Sequence, residues 1–366
     1  IDFVLFTGDA TDNVQHNELV WFMKLFDGGV VDPRTGPDDR NPEDIPRPEL
    51  DPNHPFTAQG LYRNGVHGDR PSVPWYTVLG NHDRFASGSF PIVPSPLGGR
   101  YAPLPLDFRL GLFLPTGIFP EGTLAWGAIT PARPGPPPIV SFPELVEPDA
   151  DRRFINDREF VQAHLDSVTE PKGHGFRQSA PDQTWYSVAP APGLRLIGLN
   201  TSTPILERPR FIFSEGAITG KQARFLQREL EKAQEAGEWA IVATHHPSAT
   251  LKPIYGTSLV PQTFQALLRA FPCVKLHLCG HLHYSLVIDR GGYTEMVTGA
   301  ILDSPNEGRI LEIWRKDDAL ILRYQPLRHD VRIDPPDPAH EAMFADPFVE
   351  LRRRGAAIAR TFRPPT

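Results

Sequence analysis

Residue types that bind metal ions follow several short apolar segments of this sequence. Asp9 comes after the first such segment, and Asn81-His82-Asp83 comes after a later one. His245-His246 and His281-Leu282-His283 follow two further apolar segments. In open α/β sheets, functional residues collect at the carboxyl ends of strands, where distant parts of the chain meet. The pattern therefore predicts one polar site built from several strand ends.

The side chains in these clusters suit a pair of divalent cations. A carboxylate such as Asp9 can bridge two ions. Neutral imidazoles suit Zn or Fe, whereas carboxylate and carbonyl oxygens suit Mn or Mg, so the identity of the metal stays open. If the strand before them continues, His281 and His283 point to the same side of it. Each of these imidazoles could then bind one ion of the pair.

The segments that would position these residues alternate between strand and helix patterns. Short apolar runs predict strands at 1–7, 73–79, 185–188, 194–199, 239–244 and 274–279. Helical spacing predicts helices over 219–236 and 261–270, and one that Thr11 or Asn13 caps and that ends near Phe26. Four antiparallel strands are expected near the end, at 286–289, 293–298, 309–315 and 319–324. The order of elements indicates an α/β protein.

Two long segments interrupt these elements. Residues 30–72 are polar and rich in Pro, Asp and Arg, which predicts a loop insertion. Residues 84–192 hold many of the 41 prolines and predict an irregular, cap-like insertion with a short helix near 156–167. The alternative for this second segment is a surface loop without a catalytic part. Residues 1–330 would then form one domain, followed by a tail at 331–366.

The bulk composition limits the classes of partner. The formal net charge is −7 at pH 7, which makes nucleic acid an unlikely partner because such proteins normally carry a basic patch. No apolar run reaches the roughly 18 residues of a membrane-spanning helix. Cys273 and Cys279 flank one predicted strand, too far apart for a disulfide. We expect a soluble protein with a small-molecule substrate, and its compartment and oligomeric state stay open.

Four of the polar clusters resemble signature blocks of a known family. They are Gly8-Asp9-Ala10-Thr11-Asp12, Gly80-Asn81-His82-Asp83, His245-His246-Pro247 and Gly280-His281-Leu282-His283. In residues and order they look like four of the five blocks of the calcineurin-like metallophosphoesterases. The resemblance covers roughly residues 1–324 and is weakest across 84–192. It implies the fold of that family, in which two packed mixed β-sheets lie between helices (an αββα sandwich).

The resemblance also implies a role for each residue. The implied metal ligands are Asp9, Asn81, His245, His281 and His283. Asp9 would bridge both ions, and His283 would belong to the first of them. His82 would lie beside the substrate phosphate as a general acid or charge stabiliser, oriented by Asp83, while Asp12 would support the site from behind the ligands. The implied reaction is hydrolysis of phosphate monoesters or diesters by a hydroxide that two divalent ions (Mn, Fe, Zn or Mg) activate.

The first of the family's five blocks, an Asp-x-His motif, is absent from the sequence. Because the chain begins with Ile1 inside an apolar run, we expect this motif to lie on a strand upstream of Ile1. The alternative is a catalytically impaired member of the fold that serves as a binding scaffold. A nuclease is a third possibility, which the acidic net charge disfavours.

The remaining histidines are expected to be structural. His164, His174 and His277 stand apart from the blocks, and a lone histidine is most often a core or surface residue. His246 is a weaker candidate for contact with a phosphate. Asn200 ends a predicted strand and is a weaker candidate for supporting the site.

Overall fold

The computed structural model describes the chain in separate segments. These are residues 1–33, 55–62, 71–86, 88–94, 101–103, 124–125, 144–145, 148–203, 214–253, 259–301, 306–316 and 319–328. The helices are α1 (His16–Asp27), α2 (Asp157–Asp166), α3 (Gly220–Glu235) and α4 (Pro261–Arg269). The first strands are β1 (Val4–Phe6), β2 (Gly29–Val31), β3 (Phe56–Ala58), β4 (Trp75–Thr77), β5 (Phe85–Ala86), β6 (Phe90–Pro94), β7 (Tyr101–Pro103), β8 (Leu124–Ala125) and β9 (Glu144–Leu145). The later strands are β10 (Tyr186–Ala191), β11 (Leu194–Gly198), β12 (Trp239–Ala243), β13 (Val274–Cys279), β14 (Leu286–Asp289), β15 (Thr294–Val297), β16 (Glu307–Lys316) and β17 (Ala319–Arg328).

The largest sheet has six strands in the order β10-β11-β12-β13-β15-β14. β11, β12 and β13 run parallel, and β10 pairs antiparallel at one edge. Alternate residues of β12 face opposite sides, so Ile241 and Ala243 join one core cluster while Ala240 and Val242 join the other. The strands predicted at 239–244 and 274–279 are confirmed, and apolar side chains cover both faces of the sheet.

The far end of this sheet differs from the expectation. β14 and β15 form an antiparallel hairpin, but β15 adds to β13 in parallel. The antiparallel pairing predicted for the last strands is confirmed within each hairpin, whereas the parallel contact of β15 with β13 was not predicted. β15 buries three of its four residues, whereas β14 buries none. The more deeply buried strand, β15, thus lies next to β13. β14 lies at the edge of the sheet, although it precedes β15 in the chain.

A second layer of strands packs on the face of the sheet that carries Ile241 and Ala243. β1 and β4 pair in parallel, and β16 and β17 form a long hairpin. The hairpin side chains that pack against the core cluster are Leu311, Ile313, Leu322 and Tyr324. Among the described residues this layer consists of two separate pairs. Two strand layers between helices agree with the expected αββα arrangement.

Helices cover the outside of both strand layers. α3 follows Thr219, whose hydroxyl caps the helix, and Leu226 faces the six-stranded sheet. α4 adds Phe264 to the same cluster. α1 and α2 contribute Phe22 and Phe160 to the cluster between the strand layers. Each helix is therefore held by an apolar stripe that faces a sheet.

The start of α1 lies later than expected, whereas α2 confirms its prediction. The residue before α1 is Gln15, so the predicted caps Thr11 and Asn13 are wrong. The Glu18 carboxylate accepts hydrogen bonds from the backbone N–H groups of Asn13 (2.9 Å) and Gln15 (3.1 Å), which closes a capping box. Asn156 caps α2 in the same manner.

The two predicted insertions are described only in part. Most of residues 30–72 and much of 84–192 lie outside the described residues, as does the predicted tail at 331–366. The domain boundaries therefore stay a prediction. Within the described segments, no helix combines the length and the apolar character that crossing a bilayer requires.

Candidate metal centre

The carboxyl ends of β1 and β4 meet because these two strands pair in parallel, with Phe6 opposite Thr77. Just past β1 the backbone turns into the left-handed region, and Asp9 adopts a φ of +61°. A Cβ atom on Gly80, which follows β4, would lie 1.9 Å from Asp9 Oδ1. Glycine at this position therefore allows the Asp9 carboxylate to approach the second strand end.

Asp83 ties these two strand ends together. Its carboxylate accepts hydrogen bonds from the backbone N–H groups of Asp9 (2.9 Å), Thr11 (2.8 Å) and Gly80 (2.8 Å). Burial and the charge of Asp9 raise the pKa of Asp83 to about 6, although the backbone donors favour its charged form. Asp83 was expected to orient His82, but the described hydrogen bonds of its carboxylate go to Asp9, Gly80 and Thr11, so that role stays a prediction.

His82 is held by Asp12 instead. The His82 backbone N–H donates to Asp9 Oδ1 (3.0 Å), and His82 Nδ1 lies 2.6 Å from the Asp12 carbonyl oxygen and 3.2 Å from its Oδ1. Since a carbonyl only accepts, Nδ1 carries a proton. Burial lowers the pKa of His82, but the contacts with Asp12 and the charge of Asp9 outweigh it and raise the pKa to about 9. The ring remains partly exposed.

Asn81 turns its oxygen toward two imidazoles. Its Nδ2 donates to the Gly88 carbonyl oxygen (2.9 Å), which fixes the orientation of the amide. Asn81 Oδ1 then lies 2.9 Å from His245 Nε2 and 3.1 Å from His281 Nδ1. The side chain is buried, so this oxygen depends on the two rings, or on a shared cation, for a partner.

His245 is locked in one tautomer. Its Nδ1 donates to the Thr7 carbonyl oxygen at 2.8 Å, and its Nε2 faces Asp9 Oδ2 at 3.2 Å. Burial lowers the pKa of His245, whereas the charge and contact of Asp9 raise it above the ordinary value. The same pairing holds the pKa of Asp9 below its usual range against the effect of burial. A histidine that binds a metal through one ring nitrogen usually donates from the other to a carbonyl or carboxylate oxygen.

The atoms that converge here fit a divalent cation. Asp9 Oδ2, His245 Nε2, Asn81 Oδ1 and His281 Nδ1 form a chain with spacings of 3.2, 2.9 and 3.1 Å. Two ligand atoms that each lie about 2.0–2.2 Å from one ion are separated from each other by distances similar to these three spacings. All four atoms carry lone pairs when the imidazoles are neutral, so neighbouring atoms of this chain can share a cation. The structure thus brings together four of the five predicted ligands.

His281 and His283 do not continue strand β13. They adopt φ values of +70° and +54°, so the predicted alternation along an extended strand is wrong. Burial, the charge of His245 and the charge of His283 lower the pKa of His281 to about 3, although Asp9 opposes the shift. His283 therefore lies near enough to affect the site electrostatically. Its assignment as a ligand stays a prediction.

His246 supports the site rather than facing it. Its Nδ1 lies 2.7 Å from Thr201 Oγ1, and its Nε2 donates to the Ser214 carbonyl oxygen at 2.9 Å. Ring nitrogens of His245, His246 and His281 lie within 4.8 Å of one another. Both nitrogens of His246 are nevertheless engaged, so we do not assign it to a metal or a phosphate. Its ring packs on that of His281, with centroids 4.3 Å apart.

Two further side chains support the surroundings of the site. Arg84, directly after the second block, forms a bidentate ion pair with Asp157 (2.7 and 2.6 Å) and also donates to the Ser202 carbonyl oxygen. These contacts join segments that are distant in sequence, and no spacing pattern could have identified them. Asn200, a candidate from its place at a strand end, donates to Thr184 Oγ1 and has no described contact with a ligand.

Comparisons with known proteins show the family of this chain. Residues 1–285 match a model of the family described as calcineurin-like phosphoesterase. A manganese-dependent ADP-ribose/CDP-alcohol diphosphatase from Xenopus tropicalis is 27% identical over 149 residues, which are 39% of this chain and 43% of that protein. A crystal structure of a dimetal phosphatase from Danio rerio aligns with 48% of this chain. The alignment takes in 68% of the phosphatase chain, with 14% identity and a TM-score of 0.34. That structural likeness is too low to carry an argument, so the family match is the decisive finding.

Proposed function

This chain belongs to the calcineurin-like phosphoesterase family, and on that basis we propose that it hydrolyses phosphate esters at the cluster of Asp9, Asn81, His245 and His281. Family membership places it among the metal-dependent phosphoester hydrolases, whose cofactors are divalent ions. Because the match covers less than half of the curated relative, the substrate is part of the proposal. A dinuclear centre that takes Mn, Fe, Zn or Mg is also part of it.

The observation that carries the proposal is the chain of four ligand atoms spaced 2.9–3.2 Å apart. A scaffold with no bound metal would gain nothing from gathering a carboxylate, an amide oxygen and two imidazoles in mutual contact. Asn81 and His245 are buried, and Asp9 and His281 are partly buried. Polar and charged groups lose hydration on burial, at a cost in free energy. A cation removes that cost, and this favours the hydrolase over the impaired scaffold.

The residues of the chain would divide the chemistry as follows. When bound, divalent metal ions supply a hydroxide nucleophile at neutral pH and stabilise negative charge on phosphoryl oxygens. Asp9 would bridge the two ions, Asn81, His245 and His281 would complete one site, and His283 would belong to the other. His82 would protonate the leaving oxygen, because its contact with Asp12 keeps the imidazole charged near neutral pH.

The relative from Xenopus tropicalis guides the choice of substrate. Its name specifies manganese and the diphosphate link of ADP-ribose and CDP-alcohols. We therefore propose Mn²⁺ as the preferred ion and a diphosphate diester as the substrate class. Hydrolysis of the P–O–P link by one water would release two phosphomonoesters and no orthophosphate. A phosphomonoesterase would instead release orthophosphate, so the products distinguish the two activities.

The test supplies Mn²⁺, Zn²⁺, Fe²⁺ or Mg²⁺ and measures bound metal and the products formed from ADP-ribose, a CDP-alcohol and a phosphomonoester. Asn81→Ala should abolish both metal binding and hydrolysis. Asn156→Ala is the matched control, since it removes the cap of α2 at a cost of about 1 kcal/mol in stability without touching the site. The proposal would be overturned if the protein bound none of the four ions. It would also be overturned if the metal-loaded protein hydrolysed none of these esters.

A further inference from the structure

A second cluster of buried polar side chains lies beside the turn that carries His245. His277 of β13 and Glu295 of β15 are direct neighbours in the sheet. Both are fully buried, as are Thr244 and Ser248 at the two ends of the turn. Buried polar groups need partners. The partners of this cluster are one another, and they connect the sheet to the turn over residues 244–248.

The first connection runs from His277 to the start of the turn. The Thr244 hydroxyl donates its single hydrogen to the His246 carbonyl oxygen at 2.7 Å. His277 Nε2 lies 2.8 Å from the same hydroxyl oxygen, so this nitrogen must be the donor of that contact. His277 Nδ1 lies 3.3 Å from Glu295 Oε2, an ion-pair distance without hydrogen-bond geometry. The carboxylate thereby contacts the ring that donates to Thr244.

The second connection runs from Glu295 to the end of the turn. The Ser248 hydroxyl donates to Glu295 Oε2 at 2.5 Å, and Gln265 Nε2 donates to the Ser248 oxygen at 2.8 Å. Arg290 donates to both carboxylate oxygens at 3.1 Å. Glu295 therefore holds both ends of the turn, one directly and one through His277.

Two other roles for this cluster fail on the contacts. Glu295, His277 and Thr244 are ordered as carboxylate, imidazole and hydroxyl, as in nucleophilic triads. All three are buried, however, and the Thr244 hydrogen is already given to a carbonyl. His277, Cys279 and Glu295 also have ligand atoms within 4.8 Å of one another. Arg290 already neutralises the carboxylate, and Cys279 Sγ contacts the Met296 carbonyl oxygen, which argues against a second metal.

We infer that His277 and Glu295 are positioning residues that hold the turn 244–248 and thereby aim His245 Nε2 at Asp9 and Asn81. The turn is also attached by His245 Nδ1 on the Thr7 carbonyl oxygen, by His246, and by the Gly280 N–H, which donates to the His245 carbonyl oxygen at 2.9 Å. These contacts leave the two ends of the turn, Thr244 and Ser248, to the cluster. The part of the inference that concerns metal affinity rests on the proposed function. The part that concerns the geometry of the turn does not.

The first experiment removes the hydroxyl at the start of the turn. Thr244→Val should weaken Mn²⁺ binding by about 10–100-fold, the usual effect of losing an outer contact of a metal ligand. Thr244→Ser keeps the hydroxyl and should restore the affinity. The matched control is Thr169→Val, because Thr169 is also buried and also bonds two groups, Trp75 Nε1 and Asp27 Oδ1, at a distance from the site. Titration calorimetry with Mn²⁺ measures all four proteins.

The second experiment needs no metal. Amide hydrogen exchange in metal-free protein should be faster over residues 244–248 in Thr244→Val than in wild type, and unchanged there in Thr169→Val. Ser248→Ala removes the contact at the other end of the turn and should give a smaller increase in the same peptide. This milder variant also serves if Thr244→Val does not fold.

The outcomes separate the two proposals. The inference is wrong if Thr244→Val and Ser248→Ala match wild type both in Mn²⁺ affinity and in exchange over 244–248. If the wild-type chain binds no Mn²⁺, the proposed function fails, and the exchange data alone decide the role of His277 and Glu295. Weakened binding together with unchanged exchange would also refute the inference, because the turn would then not have moved.

Discussion

Two regions of the molecule bury pairs of histidines in opposite settings. At the strand ends, His245 and His281 each turn one nitrogen toward Asn81 Oδ1. Between α2 and β4, His164 and His174 each contact one backbone carbonyl, at 2.8 and 3.1 Å. Their Nε2 atoms have no hydrogen-bond partner among the residues that the structure describes. The first pair faces oxygen ligands, whereas the second pair packs as aromatic rings.

The difference teaches that burial alone does not identify a functional histidine. His174 stacks on Trp75 with ring centroids 3.5 Å apart and planes at 16°. Burial lowers the pKa of His164 to about 4 and that of His174 to about 3, so both rings are neutral at physiological pH. At the strand ends, the carboxylate of Asp9 raises the pKa of His245 despite equal burial. A facing carboxylate or amide oxygen is therefore the feature that separates the two regions.

The largest effect that the comparison predicts is on turnover. His82→Ala should reduce kcat by about 10²–10⁴, the range for loss of a general acid, while the amount of bound Mn²⁺ stays unchanged. His164→Leu removes a buried imidazole from the aromatic region and should leave kcat at pH 7.5 within a factor of two of wild type. Steady-state kinetics with parallel metal analysis measures both variants. Equal losses of kcat in the two variants would contradict the distinction between the two histidine regions.

The next effect is on stability in acid. In the unfolded protein the pKa of the His164 imidazole is about 6.5. Burial lowers this pKa to about 4 in the folded protein. Between these values the unfolded chain binds more protons, so stability falls as the pH drops through this window. The loss should reach about 3 kcal/mol by pH 4. Urea denaturation of wild type and His164→Leu from pH 8 to pH 4 should show a shallower decline in the variant, and parallel curves would contradict the assignment.

Metal addition should stabilise the protein through the strand ends alone. Mn²⁺ at 100 times its dissociation constant should raise the free energy of unfolding by about 2.7 kcal/mol. The same addition to Asn81→Ala should have no effect, whereas His164→Leu should show the full increase. Thermal denaturation with and without Mn²⁺ measures these differences. A full increase in Asn81→Ala would place the metal elsewhere.

The smallest effect concerns the link between the two regions. Asp157 at the start of α2 pairs with Arg84, which follows the second ligand block. Both side chains are partly exposed, so Asp157→Asn should reduce the free energy of unfolding by about 1 kcal/mol or less. Mn²⁺ affinity should not change, because neither residue contacts a ligand atom. A tenfold loss of affinity would show that this ion pair positions the metal centre.

The sequence was sufficient where short-range patterns dominate. The strands before the four blocks and the helices α3 and α4 follow from apolar periodicity, and the ligand types from the ends of those strands. The family match supports the fold that these patterns implied. β1 and β4 pair in parallel, so the convergence of Asp9 and Asn81 needed no knowledge of the loops. His245 follows a strand of the other layer, and the packing of the two layers brings it to the same place.

The sequence was insufficient where the choice of partner depends on loop geometry. Asp83 stands next to His82 in the chain, yet its carboxylate turns to the backbone donors of the first strand end, and Asp12 takes the imidazole. Likewise, His281 and His283 were expected to alternate along a strand that in fact ends at Cys279. Backbone dihedrals in tight turns decide both cases, and residue types constrain them only weakly.

The left-handed backbone at Asp9, His281 and His283 limits how this centre can be redesigned. Asn, Asp and His tolerate a positive φ better than other residues with side chains, whereas β-branched residues do not. A library that exchanges ligands to change metal selectivity would therefore succeed first with swaps among those three types. Glutamate would lengthen the reach while losing the conformational fit. The backbone conformation at these three positions thus limits which ligand residue types the site can acquire, and therefore which metals it can select.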